Sequence, residues 1–165
     1  MNIRQAPEPT NGAMLRQAFS LFPTGVVVVA GLANQQPVGM AVNSFTSISL
    51  DPPLVSISVA RTSTTWPKLA SNTELGLSVL ARHQEGASRS LSRRDVDRFA
   101  GLDWVADQHG AVMISGAALW LRCAVHAVLD GGDHEIVLLR VLSSQTFDDV
   151  EPLVFHRSTY RELSL

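Results

Sequence analysis

The sequence has 165 residues, 45% of them hydrophobic, and a formal net charge of −2. A chain of this length fits one domain with a sizeable core, and we expect no linker within it. Nucleic acids and anionic membranes are not expected partners, because proteins that bind polyanions usually carry a basic surplus or a concentrated basic patch. The high hydrophobic content predicts a substantial subunit interface.

Cysteine, histidine and apolar patterning narrow the class of protein further. Cys123 is the only cysteine, so an internal disulfide framework is excluded, and the residues before Met14 lack the pattern of a secretion signal. No apolar run approaches the roughly 20 residues that a membrane-spanning helix needs. His134-Glu135 resembles the start of a zinc motif, but Leu138 stands where the second histidine belongs. We therefore expect a cytoplasmic protein without a metal site.

A helix is the first element predicted. Residues 12–22 place apolar side chains at helical spacing, Asn11 offers an N-cap, and Pro23-Thr24-Gly25 ends the pattern. We expect this helix to pack on the core, and we expect residues 1–12 to form a flexible tail.

The rest of the chain is rich in short strands. The β-branched run at residues 26–30 is too stiff to favour a helix, and residues 34–37 turn the chain into a hairpin with residues 38–42. Further strand-like segments are bounded by Gly, Pro or Asp, and they span residues 46–50, 54–60, 75–80, 117–129, 134–147 and 152–155. Many short strands and few helices indicate a mainly β, nearly closed antiparallel barrel.

Non-strand segments separate these runs. A short helix is expected to begin near Trp66, after good capping residues, and residues 83–91 have the composition of a helix or loop. The charge run at residues 93–98 is interpreted as a solvated face. The end of the chain, from residue 158, is expected to be a closing turn or tail.

Polar residues interrupt what is otherwise an apolar strand pattern at residues 39–53. Buried hydroxyls and amides left unpaired cost roughly 1–3 kcal/mol each, so a polar cluster inside a buried strand needs partners. Either an internal hydrogen-bond network or a polar ligand along the strand would supply them. A flat heterocycle rimmed with carbonyls and ring nitrogens fits the second alternative. The cluster consists of Asn43, Ser44, Thr46, Ser47 and Ser49.

Three further constellations could carry chemistry. Residues 61–65 lie between a predicted strand and a predicted helix. Their hydroxyls and backbone N–H groups, close to a guanidinium, predict an anion site. The alternative is an ordinary helix N-cap. The glycine turn at residues 130–133 presents His134 beside a carboxylate that can orient its imidazole, or else a solvent-exposed histidine. His156-Arg157 with Tyr160 can close over a pocket, or form a simple surface strand end.

Motifs and their order identify a family resemblance. The sequence lacks the glycine-rich dinucleotide fingerprint, the P-loop and the GxSxG elbow, so it shows no signature of the fold classes that carry them. Six segments, covering nearly the whole chain, together resemble the flavin reductase-like family of FMN-binding split barrels. They are FPTGVVVVAG, GMAVNSFTSISLDPPLVSISVARTSTTW, RFAGLDW, HGAVMISGAALWLRCAV, GDHEIVLLRV and PLVFHRSTY.

The resemblance implies a homodimeric, antiparallel, Greek-key-like split β-barrel with a few short peripheral helices. It also implies binding of FMN or FAD, reduction by NADH or NADPH, and delivery of reduced flavin to a partner monooxygenase. The residues that match the family's flavin-binding positions are Val42, Asn43, Ser44, Thr46, Ser47, Arg61, Thr62, Ser63 and Lys68, the last four at the phosphate. Those that match positions beside the nicotinamide are His134, His156, Arg157 and Tyr160, of which His134 is also the candidate catalytic residue that positions the nicotinamide.

Alternatives to a flavin reductase remain on the same fold. A non-catalytic module that binds flavin or haem, or an oxidase with tightly bound flavin, would use the same barrel. The GDH and HR segments favour the reductase. The choices between FMN and FAD, and between NADH and NADPH, stay open at this point.

Overall fold

Antiparallel strands are the main element of the fold, with about half of the residues, and three short helices lie at the periphery of the part that the structure describes. The computed structural model describes residues 11–94 and 96–163. In chain order the elements are α1 (Gly12–Phe19), β1 (Thr24–Gly25), β2 (Val27–Ala33), β3 (Gln36–Val42), β4 (Thr46–Leu50), β5 (Pro53–Ala60), α2 (Trp66–Leu69), β6 (Leu75–Val79), α3 (Glu85–Leu91), β7 (Trp104–Ala106), β8 (Val112–Ile114), β9 (Leu119–Gly131), β10 (His134–Thr146), β11 (Val154–His156) and β12 (Thr159–Arg161). None of these helices is long and apolar enough to cross a membrane.

A seven-stranded sheet dominates the architecture. Its strand order is β3-β2-β6-β9-β10-β5-β4, so β3 and β4 are its two ends. The long hairpin of β9 and β10 shows register shifts between Leu138 and Leu139 and between Val141 and Ser143. Such shifts bend a strand and increase its twist. The sheet curls so that side chains from β3 and β5, far apart in the strand order, share one hydrophobic core.

Strand β2 contributes to two separate cores because successive side chains of a strand point to opposite faces. Val27 and Val29 point into the curled sheet, where Leu69 of α2 also packs. Val28 and Ala30 point outward into a second cluster with Leu91 of α3 and residues of β8. The second cluster therefore fixes α3 against the outer side of the sheet.

Strand β8 crosses the sheet at a glycine. A Cβ at Gly76 would collide with the carbonyl oxygen of Val112. The absence of a side chain there lets the backbones of β6 and β8 approach closely. Ser78 strengthens this crossing, because its hydroxyl accepts a hydrogen bond from the backbone N–H of Ile114 at 2.9 Å.

Both predicted hairpins are confirmed, β2 with β3 and β9 with β10, but helix α1 differs from expectation. Its N-cap is Asn11, whose Oδ1 accepts hydrogen bonds from the backbone N–H groups of residues 13 and 14 at 3.0 Å. The helix ends at Phe19 and buries no residue, and Phe19 and Phe22 are 68% and 75% exposed. The expected packing on the core is therefore wrong, because no element among residues 11–94 and 96–163 covers the apolar side of α1. The predicted tail lies outside the described residues except for Asn11 and Gly12.

Candidate functional site

A polar cleft of about 510 Å³ opens at one end of the curled sheet. This volume lies within the range of small-molecule sites. One wall is the end of β3 with the loop that follows, residues 40–44, and another is the end of β5 with the loop to α2, residues 58–60 and 62–65. The remaining walls are Leu91 and Ser92 from the end of α3, Arg94, Arg98 and His134.

The free edge of β3 faces this cleft. The carbonyl oxygen of Gly39 accepts a hydrogen bond from Arg98 Nη1 at 3.1 Å, so it points away from the neighbouring strand β2. Backbone groups on one side of a strand recur every second residue. The N–H and C=O of Ala41 therefore also point to the free edge, and Ala41 lines the cleft. The edge offers a backbone donor and a backbone acceptor side by side.

Ser44 extends the β-sheet with its side chain. Its Oγ accepts a hydrogen bond from the backbone N–H of Ser58 at 2.9 Å and donates to the carbonyl of the same residue at 3.0 Å. The strand pairing of β4 with β5 starts only at Thr46, opposite Ser56. The Ser44 hydroxyl thus satisfies the backbone hydrogen bonds of β5 at a position that β4 does not reach. The neighbouring Asn43 is exposed at the cleft.

The polar cluster is not part of a buried strand, and that expectation is wrong. Strand β4 has one neighbour, β5, and no described element covers its outer side. Thr46 and Ser47 are consequently exposed, and Ser49 is half-buried. Neither Thr46 nor Ser47 lines the cleft. Their predicted contacts with flavin stay predictions.

The loop before α2 brings hydroxyl groups to the cleft. Ser63 Oγ accepts hydrogen bonds from the N–H groups of Thr65 and Trp66 at 3.3 and 3.1 Å, which confirms that this segment caps the helix. Thr65 Oγ1 accepts a hydrogen bond from Arg98 Nη1 at 2.9 Å. Thr62 and Thr64 are exposed and line the cleft without a side-chain hydrogen bond to any described residue. Their hydroxyls are available to a ligand.

Arg61 and Lys68 do not line this cleft. Arg61 turns toward the hairpin of β9 and β10, where its Nε donates to the carbonyl of Gly132 at 2.9 Å and its guanidinium pairs with Asp130 and Glu135. The Arg61 hydrogen bond lowers the pKa of the Asp130 carboxyl below its ordinary value. Lys68 is exposed near the end of α2. The phosphate contacts of both residues stay predictions.

His134 reaches the cleft from the first position of β10, opposite Ala60 of β5. Its Nδ1 lies 2.7 Å from Asp133 Oδ1. The hydrogen bond with His134 lowers the pKa of Asp133, so this carboxyl is ionised at neutral pH and can fix the orientation of the imidazole. No group of three or more His, Cys, Asp and Glu side chains in residues 11–94 and 96–163 is placed to hold a metal ion.

A smaller cavity of about 220 Å³ adjoins the cleft and shares residues 41–43 and Ser92 with it. Tyr160 lines this second lobe, its hydroxyl 2.8 Å from Ser88 Oγ and its ring 5.2 Å from that of Phe155. Of the segment expected to be a closing turn or tail, residues 159–161 form a strand, β12, that pairs with β11. His156 and Arg157 line neither lobe. Their predicted contacts with the nicotinamide stay predictions.

Two arginines of the site were missed by sequence reasoning. Arg94 and Arg98 line the cleft, although they lie in the charge run interpreted as a solvated face. Arg94 is exposed, as that interpretation expects, whereas for Arg98 the interpretation is wrong, because Arg98 is half-buried and donates to Gly39 and Thr65. The apolar Phe99, buried directly after Arg98, was the signal that this segment returns to the protein.

Comparison with known proteins places this chain in a family. The family pattern described as "Flavin reductase like domain" matches residues 19–164. The chain is 35% identical to a Pseudomonas putida protein named "Flavin reductase", covering 96% of this chain and 92% of that protein. It is 33% identical to the Rhodococcus jostii protein named "Flavin-dependent monooxygenase, reductase subunit HsaB", covering 94% and 80%.

A solved structure shows the same fold. The Streptomyces globisporus NADH:FAD oxidoreductase SgcE6, in complex with NAD and FAD fragments, superposes with a TM-score of 0.90 at 37% identity, covering 97% of each chain. The predicted fold class, a mainly β split barrel, is confirmed. The order of the motifs, the architecture and these similarities agree, and the chain belongs to the flavin reductase family.

Proposed function

We propose that this protein is an NAD(P)H-dependent flavin reductase. The two-lobed cleft is the observation that carries the proposal, because it joins a free strand edge, a row of hydroxyls and an oriented imidazole. A bound flavin accepts a hydride from reduced nicotinamide, a reaction for which the protein supplies orientation rather than a nucleophile. Proteins that share the fold and about a third of the sequence carry the names of flavin reductases, which supports this function.

The larger lobe has the features that a flavin requires. The pyrimidine end of the ring system carries carbonyl acceptors and an N–H donor, and the free edge of β3 at Ala41 offers a matching backbone donor and acceptor. Donors there also favour the negative charge that develops when the ring is reduced. At the other side, Thr62 and Thr64 hydroxyls and the Arg94 guanidinium suit a phosphate.

We assign the nicotinamide to the side of the cleft that His134 reaches. Its imidazole, held by Asp133, can donate or accept one hydrogen bond with the carboxamide and so limit how the donor ring lies. Tyr160, in the smaller lobe, closes the site on the opposite side of residues 41–43. The two lobes together give room for two planar ligands in contact.

We further propose that the reduced flavin serves a flavin-dependent monooxygenase. Relatives over most of this chain are named as reductase subunits of such enzymes, including HsaB of Rhodococcus jostii. The openness of the cleft to solvent through exposed Asn43, Thr62 and Thr64 supports a flavin that enters and leaves. The name of the Streptomyces globisporus relative, an NADH-dependent FAD reductase, makes FAD and NADH the first pair to assay.

A homodimer is part of the proposal. Three large apolar side chains are strongly exposed: Phe19 at the end of α1, Phe22 in the turn after it and Leu50 on β4, at 68%, 75% and 94%. Exposed apolar groups of this size are typical of surfaces that another chain covers. We expect light scattering on the purified protein to give twice the mass of one chain. A single-chain mass at all concentrations would contradict the dimer.

The decisive experiment mixes purified protein with FMN or FAD and with NADH or NADPH, and follows the loss of absorbance of the reduced nicotinamide. We expect catalysed oxidation with at least one pair and release of flavin on gel filtration. No catalysed loss with any of the four pairs would eliminate the reductase. Turnover that persists only with a flavin that never dissociates, and only with an added organic substrate, would indicate an oxidase instead.

A further inference from the structure

We propose that Arg61 is a positioning residue that holds the β9–β10 turn and thereby sets His134 in the cleft. The inference rests on the proposed function, because it concerns how the nicotinamide is oriented. It assigns Arg61 a role that differs from the phosphate contact predicted from the sequence.

The contacts begin with the backbone. Pairing between β5 and β10 ends at Ala60 opposite His134, and Arg61 follows directly. The backbone N–H of Arg61 donates to the carbonyl of Asp133 at 3.0 Å, and its Nε donates to the carbonyl of Gly132 at 2.9 Å. Both residues of the turn are thus tied to Arg61 through their carbonyl groups. The bond to Asp133 comes from the backbone and is kept in Arg61→Ala, whereas the bond to Gly132 comes from the side chain and is lost.

The guanidinium then joins the two strands of the hairpin. It pairs with Asp130 on β9 and with Glu135 on β10, the latter at 3.4 Å. One planar, always charged group therefore contacts the turn and the strand on either side of it. A lysine at this position has a single ammonium group and no fork, so it could not reproduce these bonds together.

The turn needs an external support. Gly132 has a φ of +80°, and no described heavy atom outside its chain neighbours lies within 4 Å of the position of its missing Cβ. The carboxylate of Asp133 that orients His134 belongs to a side chain that is 95% exposed. Neither residue packs against the core. Strand pairing with Ala60 and Gly131 holds the backbone of His134, and the side-chain bonds of Arg61 to Gly132, Asp130 and Glu135 add the contacts that hold the turn before it. A small misplacement of an orienting group can cost up to about 100-fold in rate.

Arg61→Ala and Arg61→Lys test this role, with Arg82→Ala as the matched control. Arg82 is similarly exposed, 52% against 46%, and it too combines a backbone hydrogen bond with an ion pair, to Glu151, but it lies away from the cleft. We expect Arg61→Ala to raise the KM for the nicotinamide roughly tenfold, with kcat and the Kd for FMN within about twofold of wild type. The nicotinamide KM of Arg61→Lys should lie between those of wild type and Arg61→Ala, and the kinetic constants of Arg82→Ala should equal those of wild type.

Hydrogen–deuterium exchange supplies a readout that does not depend on activity. Amides of residues 130–135 should exchange faster in Arg61→Ala than in wild type, and no faster in Arg82→Ala. In a His134→Ala background, Arg61→Ala should cause no further rise in KM, because the group it positions is already absent.

Three results would overturn the inference alone while the wild-type enzyme is active, and the first two concern Arg61→Ala by itself. One is an unchanged nicotinamide KM in Arg61→Ala, and the other is a weakened Kd for FMN but not for riboflavin, which would assign Arg61 to the phosphate. Additive effects of Arg61→Ala and His134→Ala would likewise overturn it. Wild-type protein that oxidises no nicotinamide would overturn the proposed function and this inference together. If Arg61→Ala does not fold, Arg61→Lys with the same measurements decides.

Discussion

Replacing Ser44 by alanine tests whether its hydroxyl serves the fold or the ligand. The Ser44 Oγ makes two hydrogen bonds, to the N–H and the C=O of Ser58, at 2.9 and 3.0 Å in a half-buried setting. Each such bond contributes about 0.5–1.5 kcal/mol net, so we expect the free energy of unfolding to fall by about 1–3 kcal/mol. For a chain of this size that corresponds to a decrease in Tm of roughly 2–12 °C.

The assay is thermal denaturation of the ligand-free protein, with Ser47→Ala as the control. Ser47 lies on exposed β4 and makes no side-chain hydrogen bond to a described residue, so its substitution should change stability by less than about 0.5 kcal/mol. Equal Tm values for the two variants would refute the structural role of Ser44. A large loss of flavin affinity in Ser44→Ala at unchanged Tm would show that the hydroxyl meets the ligand.

Three further variants test other parts of the site. Arg94→Ala should weaken the affinity for FMN about tenfold and leave the affinity for riboflavin nearly unchanged, because only FMN carries a phosphate. Fluorescence quenching measures both affinities, and equal losses would show that Arg94 does not bind the phosphate. Tyr160→Phe loses the hydroxyl contact with Ser88 at 2.8 Å, and thermal denaturation should show a loss of about 1 kcal/mol; an unchanged Tm would contradict this. The hydrogen bond from Arg61 lowers the pKa of Asp130 in the folded protein. The ionised carboxylate therefore stabilises the fold fully above the ordinary pKa of an aspartate, and this stabilisation is lost as the pH falls through the lowered pKa. Urea denaturation of wild type and Asp130→Asn should therefore differ at pH 7 and converge in acid, whereas a gap independent of pH would speak against this pairing.

Hairpins were the predictable part of the fold because their signals are local. The turn between β2 and β3 uses Asn34 and Gln35 with positive φ values of 51° and 62°, and residues 130–133 carry two glycines at the next long hairpin. Strands of two or three residues, such as β1, β7 and β8, are too short to show an alternating pattern. The pattern of α1 indicated an apolar face correctly, but a pattern does not reveal what will cover that face.

The candidate site was predictable where its residues are neighbours in sequence. The segment from Asn43 to Ser44 and the hydroxyls of residues 62–65 do meet in one cleft. The partners of Arg61 could not be predicted, because they lie 69 to 74 positions further along the chain and are brought close only by the pairing of β5 with β10. Arg94 and Arg98 were missed for the same reason, since charge in a short run indicates solvent until the tertiary structure places it.

The main-chain contacts proposed at the free edge of β3 bear on how this family diverges. The N–H and C=O of residue 41 are present whatever amino acid the gene encodes there, with the exception that proline would remove the N–H. Mutational drift along this strand can therefore proceed without erasing the proposed flavin contacts of this edge, as long as the sheet keeps its order. Selection for a different flavin or hydride donor would then act on the hydroxyl groups of residues 62–65 and on Arg94 and Arg98, because these parts of the site consist of side chains.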